Sequence, residues 1–165
     1  MKKYYILGFL IILAGAVYYT GVYTYFQNKE VNEFFESPTV SPELGAGDEA
    51  KATPGRNIVV EGQFVEVDFI HRGSGTARIV EEGGKRYLQL EDFNVTNGPD
   101  LYVYLSESKS PSNDLKSLDK YISLGFLKGN IGNQIYEIPD VFRGYDTAII
   151  WCQKFGVLFS YAVME

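Results

Sequence analysis

Two rhythms of hydrophobic and polar positions divide the chain. From Tyr4 through Phe26 the sequence is apolar or aromatic apart from Thr20, Thr24 and small glycines, and no charge interrupts Tyr4 through Asn28. At about 1.5 Å per residue such a run reaches across a hydrocarbon core of about 30 Å, which predicts a transmembrane helix. From Asn57 the period changes to two. Val59, Glu61, Gln63, Val65 and Val67 alternate with Val60, Gly62, Phe64, Glu66 and Asp68, an early strand broken at Gly62 by a bulge or bend. Thr76 to Glu81 and Arg86 to Glu91 flank Gly83-Gly84, a hairpin signal. Further strands are predicted over Leu101 to Ser106, Tyr121 to Lys128, Gln134 to Ile138, Thr147 to Gln153 and Phe155 to Met164. Turn signals at Gly73-Ser74-Gly75, Asn97-Gly98-Pro99, Gly129-Asn130 and Arg143-Gly144 separate them. No segment of this part has a 3.6-residue period. The fold class predicted is therefore all-β, an antiparallel β-sandwich or small barrel of about eight strands, preceded by one N-terminal transmembrane helix.

Three pieces follow along the chain: a membrane anchor over 1–28, a Pro/Gly/acidic linker over 29–55 and a β domain over 56–165. Lys2 and Lys3 precede the apolar run, whereas Glu30, Glu33 and Glu36 follow it. The positive-inside bias then puts the N-terminus in the cytoplasm and the β domain outside, as a single-pass protein of the cytoplasmic membrane. Tyr4, Tyr5, Tyr18, Tyr19, Tyr23 and Tyr25 crowd the two ends of the run, where aromatic belts form. A cleaved secretory signal ending at Ala14-Gly15-Ala16 is the competing reading, and the length of the run favours the uncleaved anchor. The lipoprotein route is closed, because Ala16 stands where that signal needs a cysteine. In the linker, Val31 to Phe35 has room for one helical turn before Pro38 and Pro42 stop it.

Composition narrows the function by exclusion. A net charge of -6 without clustered Lys or Arg argues against a nucleic-acid partner. One histidine and one cysteine leave no His-rich metal cage, no thiolate zinc site and no disulfide within the chain. His71, beside Arg72-Gly73, reads as a turn residue ahead of a ligand or base. Glu81-Glu82 and Glu91-Asp92 are adjacent carboxylates on strands, which alternate faces and do not converge. The aromatic residues of the domain sit at strand spacing, with core packing as the first expectation and a sugar or peptide platform as the second. Gly98-Pro99-Asp100 reads as a turn launching a strand, and Asn133 and Gln134 as turn and strand-edge residues.

Cys152 is the candidate redox thiol. It lies in Thr147-Ala148-Ile149-Ile150-Trp151-Cys152-Gln153, near the end of a strand whose composition suits burial on both faces. Alternation places it with Ala148 and Ile150, opposite Trp151. Residue chemistry leaves two uses open, a small inert core residue or a reactive thiol, and thiolate character separates them.

Several segments in order resemble the DM-thirteen domain family, the electron-transfer DM-thirteen domain found in bacterial exported proteins and beside DOMON domains in animal proteins of the Skeletor type. They include Gly62-Gln63-Phe64, His71 through Ala77, Leu88 through Phe93, Asn97 through Ser106, Leu124-Gly125, Leu127 through Asn130, Gly132-Asn133-Gln134, Ile138-Pro139, Ile150-Trp151-Cys152 and Val157-Leu158-Phe159. The resemblance implies a β-sandwich-like domain in which the cysteine, here Cys152, takes part in redox or electron transfer with another protein, a redox or binding partner of the cell envelope. A thiol by itself suits two-electron disulfide or sulfenic chemistry. No cofactor is evident in the sequence, and carrying single electrons would require a bound haem or metal. The alternative is a non-enzymatic binding or scaffolding module with Cys152 as core filler and the loops around Gly98 and Gly129 presenting a surface.

Overall fold

The computed structural model describes residues 2–20, 27–35, 56–140, 142 and 144–165. Among the described residues one α-helix, α1 (Lys2–Thr20), precedes ten strands, with a short 3-10 turn at Leu115–Leu118 between the sixth and seventh: β1 (Glu30–Asn32), β2 (Asn57–Gln63), β3 (Val65–Glu66), β4 (Gly73–Glu82), β5 (Lys85–Val95), β6 (Leu101–Ser106), β7 (Tyr121–Phe126), β8 (Ile131–Ile138), β9 (Thr147–Cys152) and β10 (Val157–Val163). They form two five-stranded sheets, in the orders β1-β8-β5-β4-β2 and β3-β10-β9-β6-β7. Neither sheet closes into a barrel. Every pairing is antiparallel except that of β1 with β8.

The period-2 alternation dictates what lies between the sheets. Ala77, Ile79, Leu88, Leu90, Phe93 and Ile138 of the first sheet share one buried cluster with Leu101, Val103, Leu105, Ile150 and Phe159 of the second. Burying a large apolar side chain of this kind contributes about 1.5–3 kcal/mol, so this shared cluster dominates the stability of the fold. A second cluster, with Tyr104, Leu118, Ile149, Trp151 and Leu158, backs the other face of the second sheet. Strand β9 lies between the two clusters and is buried throughout.

Each of the strand regions anticipated from alternation is present, and the count rises to ten for two reasons. The first run is divided at Phe64, where the chain leaves the first sheet as β2 and enters the second as β3. Phe64 N–H donates to Gly75 O at 2.9 Å, and its ring packs edge-on against Phe93 with centroids 4.9 Å apart. Gly62 sits where a side chain would strike the Val163 carbonyl, 2.1 Å from an added Cβ. The Gly83-Gly84 hairpin is as anticipated: both glycines have positive φ, 61° and 80°, as a two-residue primed turn requires.

The second addition is β1, at the start of the stretch read as linker. Where a turn of helix had room to form, Glu30–Asn32 instead lie extended along the edge of β8. The rest of that linker, residues 36–55, lies outside the described residues, as does Arg143 of one turn signal.

The membrane expectation is overturned. Among the described residues no helix is long and apolar enough to cross a membrane. The 19 residues of α1 reach about 28 Å, Lys2 and Lys3 occupy its first positions, and what remains falls short of a hydrocarbon core of about 30 Å. The run from Gly21 to Phe26, which lengthened the span in the sequence, lies outside the described residues. With the span goes the basis for a single-pass anchor in the cytoplasmic membrane and for an extracytoplasmic β domain.

Candidate functional site

Cys152 ends β9, paired with Leu101 of β6 and Val157 of β10. It is fully buried and shares the inter-sheet cluster with Ala148 and Ile150, while Trp151 faces the other cluster, as alternation requires. Its Sγ donates to Pro99 O at 2.9 Å, and next to it Gln153 N–H donates to Asp100 O at 3.1 Å. Burial pushes the Cys152 thiol up from its ordinary value. The charge of Asp100 acts in the same direction, and backbone N–H groups of Phe155 and Lys154 on the sulfur offset only part of it. A protonated, water-excluded thiol is a poor nucleophile.

Buried Pro99 and exposed Asp100 also line a cleft of about 550 Å³. One wall is Asn97–Leu101 and the other Phe126–Asn130, with Gln27–Lys29 along a third side. The loops at Gly98 and Gly129, far apart in sequence, are thus brought together. Leu127 N–H donates to Leu101 O at 2.8 Å and Val95 N–H to Asn130 O at 2.9 Å, so the two walls are tied at their bases. At the rim Phe126 is 62% exposed, its ring 4.2 Å from that of Tyr102. Gly98 must be glycine for packing reasons, because an added Cβ would lie 2.6 Å from the Phe159 ring.

Behind the second wall lies a buried polar network. Gln134 Nε2 donates to Gly129 O at 2.7 Å, while Gln134 Oε1 accepts from Tyr136 Oη at 2.8 Å and from Lys128 N–H at 3.1 Å. Burial pushes the Tyr136 phenol upward, which keeps it a neutral donor. Lys128 N–H also donates to Tyr136 Oη, and its Nζ lies 4.7 Å from the Tyr136 ring centre. Gln134 is therefore the fully buried support of the Lys128-Gly129 turn and not the strand-edge residue its type suggested. Its alternation with Tyr136 and Ile138 was the available signal.

The other candidates stay apart. His71 Nδ1 meets Asp68 Oδ2 at 2.7 Å and its ring packs on Phe159 with centroids 4.5 Å apart; Cys152 is engaged instead with Pro99. The His71 hydrogen bonds pull the Asp68 carboxyl down to about 2. Glu82 pairs with Arg56 and Glu91 with Arg78 as surface charges, and Glu81 reaches the largely buried Arg86. Asn133, expected at a turn, lies instead within β8 at the edge paired with β1, and its Oδ1 accepts Asp92 N–H. Tyr104 and Trp151 are core residues, each 3% exposed. Among the described residues no three of His, Cys, Asp and Glu come together to hold a metal.

No curated protein and no solved structure matches the chain. Residues 63–164, from the end of β2 through β10, match the family described as electron transfer DM13. That stretch is more than half of the chain and carries both walls of the cleft and Cys152, so this protein belongs to the electron transfer DM13 family.

Proposed function

We propose that the domain is a non-enzymatic binding module that docks a protein partner at the cleft between Asn97–Leu101 and Phe126–Asn130, with Cys152 as a packed core residue. The observation that supports this reading most is the pairing of an exposed aromatic rim, Phe126, with walls fixed from behind by Gln134, Tyr136 and the Cys152–Pro99 bond. A rigid aromatic anchor beside a preformed cleft is the arrangement in which contact area converts best into affinity. Phe126→Ala is expected to abolish affinity capture of partners that wild type retains, while Cys152→Ser, which keeps a donor for Pro99 O and removes the thiol, retains them. Loss of capture by Cys152→Ser with Phe126→Ala unaffected would sink the reading.

A redox use of Cys152 is the second reading, favoured by the family and by the position of the sulfur directly behind Pro99 on the cleft wall. In it, displacement of Asn97–Leu101 would let the thiolate attack a partner's disulfide, forming a mixed disulfide as the partner's second sulfur leaves as thiolate. Iodoacetamide separates the two: the binding reading expects Cys152 to be modified only in denaturant, and the redox reading expects modification of the native domain.

A further inference from the structure

Asp100 adopts the left-handed backbone conformation, φ 67°, in the turn that carries the first cleft wall into β6. Glycine or asparagine is the usual residue at such a position, so an aspartate there points to a use for its charge. Its backbone is committed, since Asp100 O accepts Gln153 N–H at 3.1 Å. Its carboxylate is not. Among the described residues that group takes no hydrogen bond and forms no ion pair, although Asp100 is exposed and lines the cleft.

Aromatic rings stand beside it. Tyr102 and Tyr104 share one face of β6, Asp100 lies two residues ahead of Tyr102, and Tyr102 pairs across with Phe126 of β7. The Tyr102 and Phe126 ring centres are 4.2 Å apart, and those of Tyr104 and Tyr121 are 5.0 Å apart. Phe126 is 62% exposed, which leaves much of its ring open at the cleft. Burial pushes the Tyr104 phenol up and the Asp100 charge adds to it, so the carboxylate lies within electrostatic reach of these rings.

A carboxylate attracts a cation, and the negative face of an aromatic ring does the same. Together they suit a flat cation better than a compact one, because a guanidinium offers paired N–H donors to a carboxylate and stacks on rings, whereas an ammonium is a strongly hydrated point charge. The lysines of the cleft sit elsewhere. Lys128 Nζ is held on the opposite wall by Glu33 Oε2 and Ile135 O, both at 2.7 Å, and Lys29 lies along the third side. The corner between Asp100 and Phe126 is therefore the negative end of the cleft.

On the footing that a protein partner docks at this cleft, we propose that the corner between Asp100 and the Phe126 ring takes an arginine side chain of that partner. The Asp100 carboxylate accepts two guanidinium N–H groups, and the Phe126–Tyr102 pair covers the flat face of the cation.

Blocked tripeptides, acetyl-Gly-Xaa-Gly-amide with arginine, lysine or citrulline in the middle, are titrated into the full-length chain while amide and ring resonances are followed by NMR. The arginine peptide is expected to shift Asp100, Leu101, Tyr102 and Phe126 saturably, and to bind roughly fivefold or more tighter than citrulline, which keeps the shape and lacks the charge. Asp100→Asn should weaken the arginine peptide by roughly fivefold with no lower denaturant midpoint, because asparagine accepts the same φ. The assignment is overturned if citrulline or lysine binds as tightly as arginine, or if Asp100→Asn binds like wild type. Partner capture keeps the two readings apart. Capture lost by Phe126→Ala but kept by Asp100→Asn leaves docking standing and overturns the arginine site. Arginine-peptide binding that needs Asp100, with capture indifferent to Phe126→Ala, leaves the arginine site standing and overturns docking at the cleft.

Discussion

The two ends of the first sheet solve the same problem by different means. At the Gly83-Gly84 end, β4 and β5 are joined by a local turn, and the flanking charges pair on the surface, Arg56 with Glu82 and Lys85 with Glu137. Exposed pairs of this kind contribute little to stability. At the cleft end the chain makes longer loops, and their backbone groups are satisfied by buried side chains: Gln134 for nearby Lys128 and Gly129, and, from farther along the chain, Asn130 for Lys29 and Val95 and Cys152 for Pro99. A buried group left without its partner costs far more than an exposed one, so the cleft end is the part whose geometry depends on single residues.

That contrast can be broken by mutation. The largest effect is expected for Gln134→Leu, which removes four hydrogen bonds and strands the Gly129 carbonyl; a loss of about 3 kcal/mol should appear as a lower denaturant midpoint at unchanged slope. Cys152→Ala leaves a small cavity and an unbonded Pro99 carbonyl, for an expected loss of about 1–2 kcal/mol in the same measurement. At the other end Gly83→Ala forces a side chain to φ 61°, with open space around it, and should cost only about 1 kcal/mol. Were Gly83→Ala as damaging as Gln134→Leu, the two ends would not differ in the way described. The smallest expected effect is one of pH. Asp68 in the folded chain titrates near 2, below its ordinary 3.8, so its contribution is complete above the ordinary value and is lost as pH falls through about 2. Asp68→Asn should flatten that acid limb by slightly lowering stability at neutral pH, and the two stability curves should converge as pH falls through about 2.

The same contrast explains what could be read from the sequence. The hairpin end was legible because its information is local: alternation on both sides of Gly83-Gly84 specifies strands, turn and register together. The placement of Cys152 with Ala148 and Ile150 was legible for the same reason. At the cleft end, Gly98 and Gly129 were visible as turns, but their meeting depends on β5 pairing with β8, strands that are not neighbours in sequence. Gln134 was misread because a polar residue type was given more weight than the inward phase it shares with Tyr136. Three residues of β1 carry no period at all; what makes them a strand is the space left by Gly129 and Gly132.

The crossing at Phe64 also bears on the order in which the molecule assembles. Just ahead of it, Glu61 and Glu165 exchange both of their backbone hydrogen bonds, at 3.3 and 3.1 Å, joining the first long strand to the segment that follows β10. Bringing such remote segments together costs chain entropy that no local contact offsets in advance, so this seam belongs to the late, slow part of folding. It is equally the place where the native protein should open first, and amide protons of Glu61 and Glu165 should exchange with solvent well before those of Leu88 or Val103.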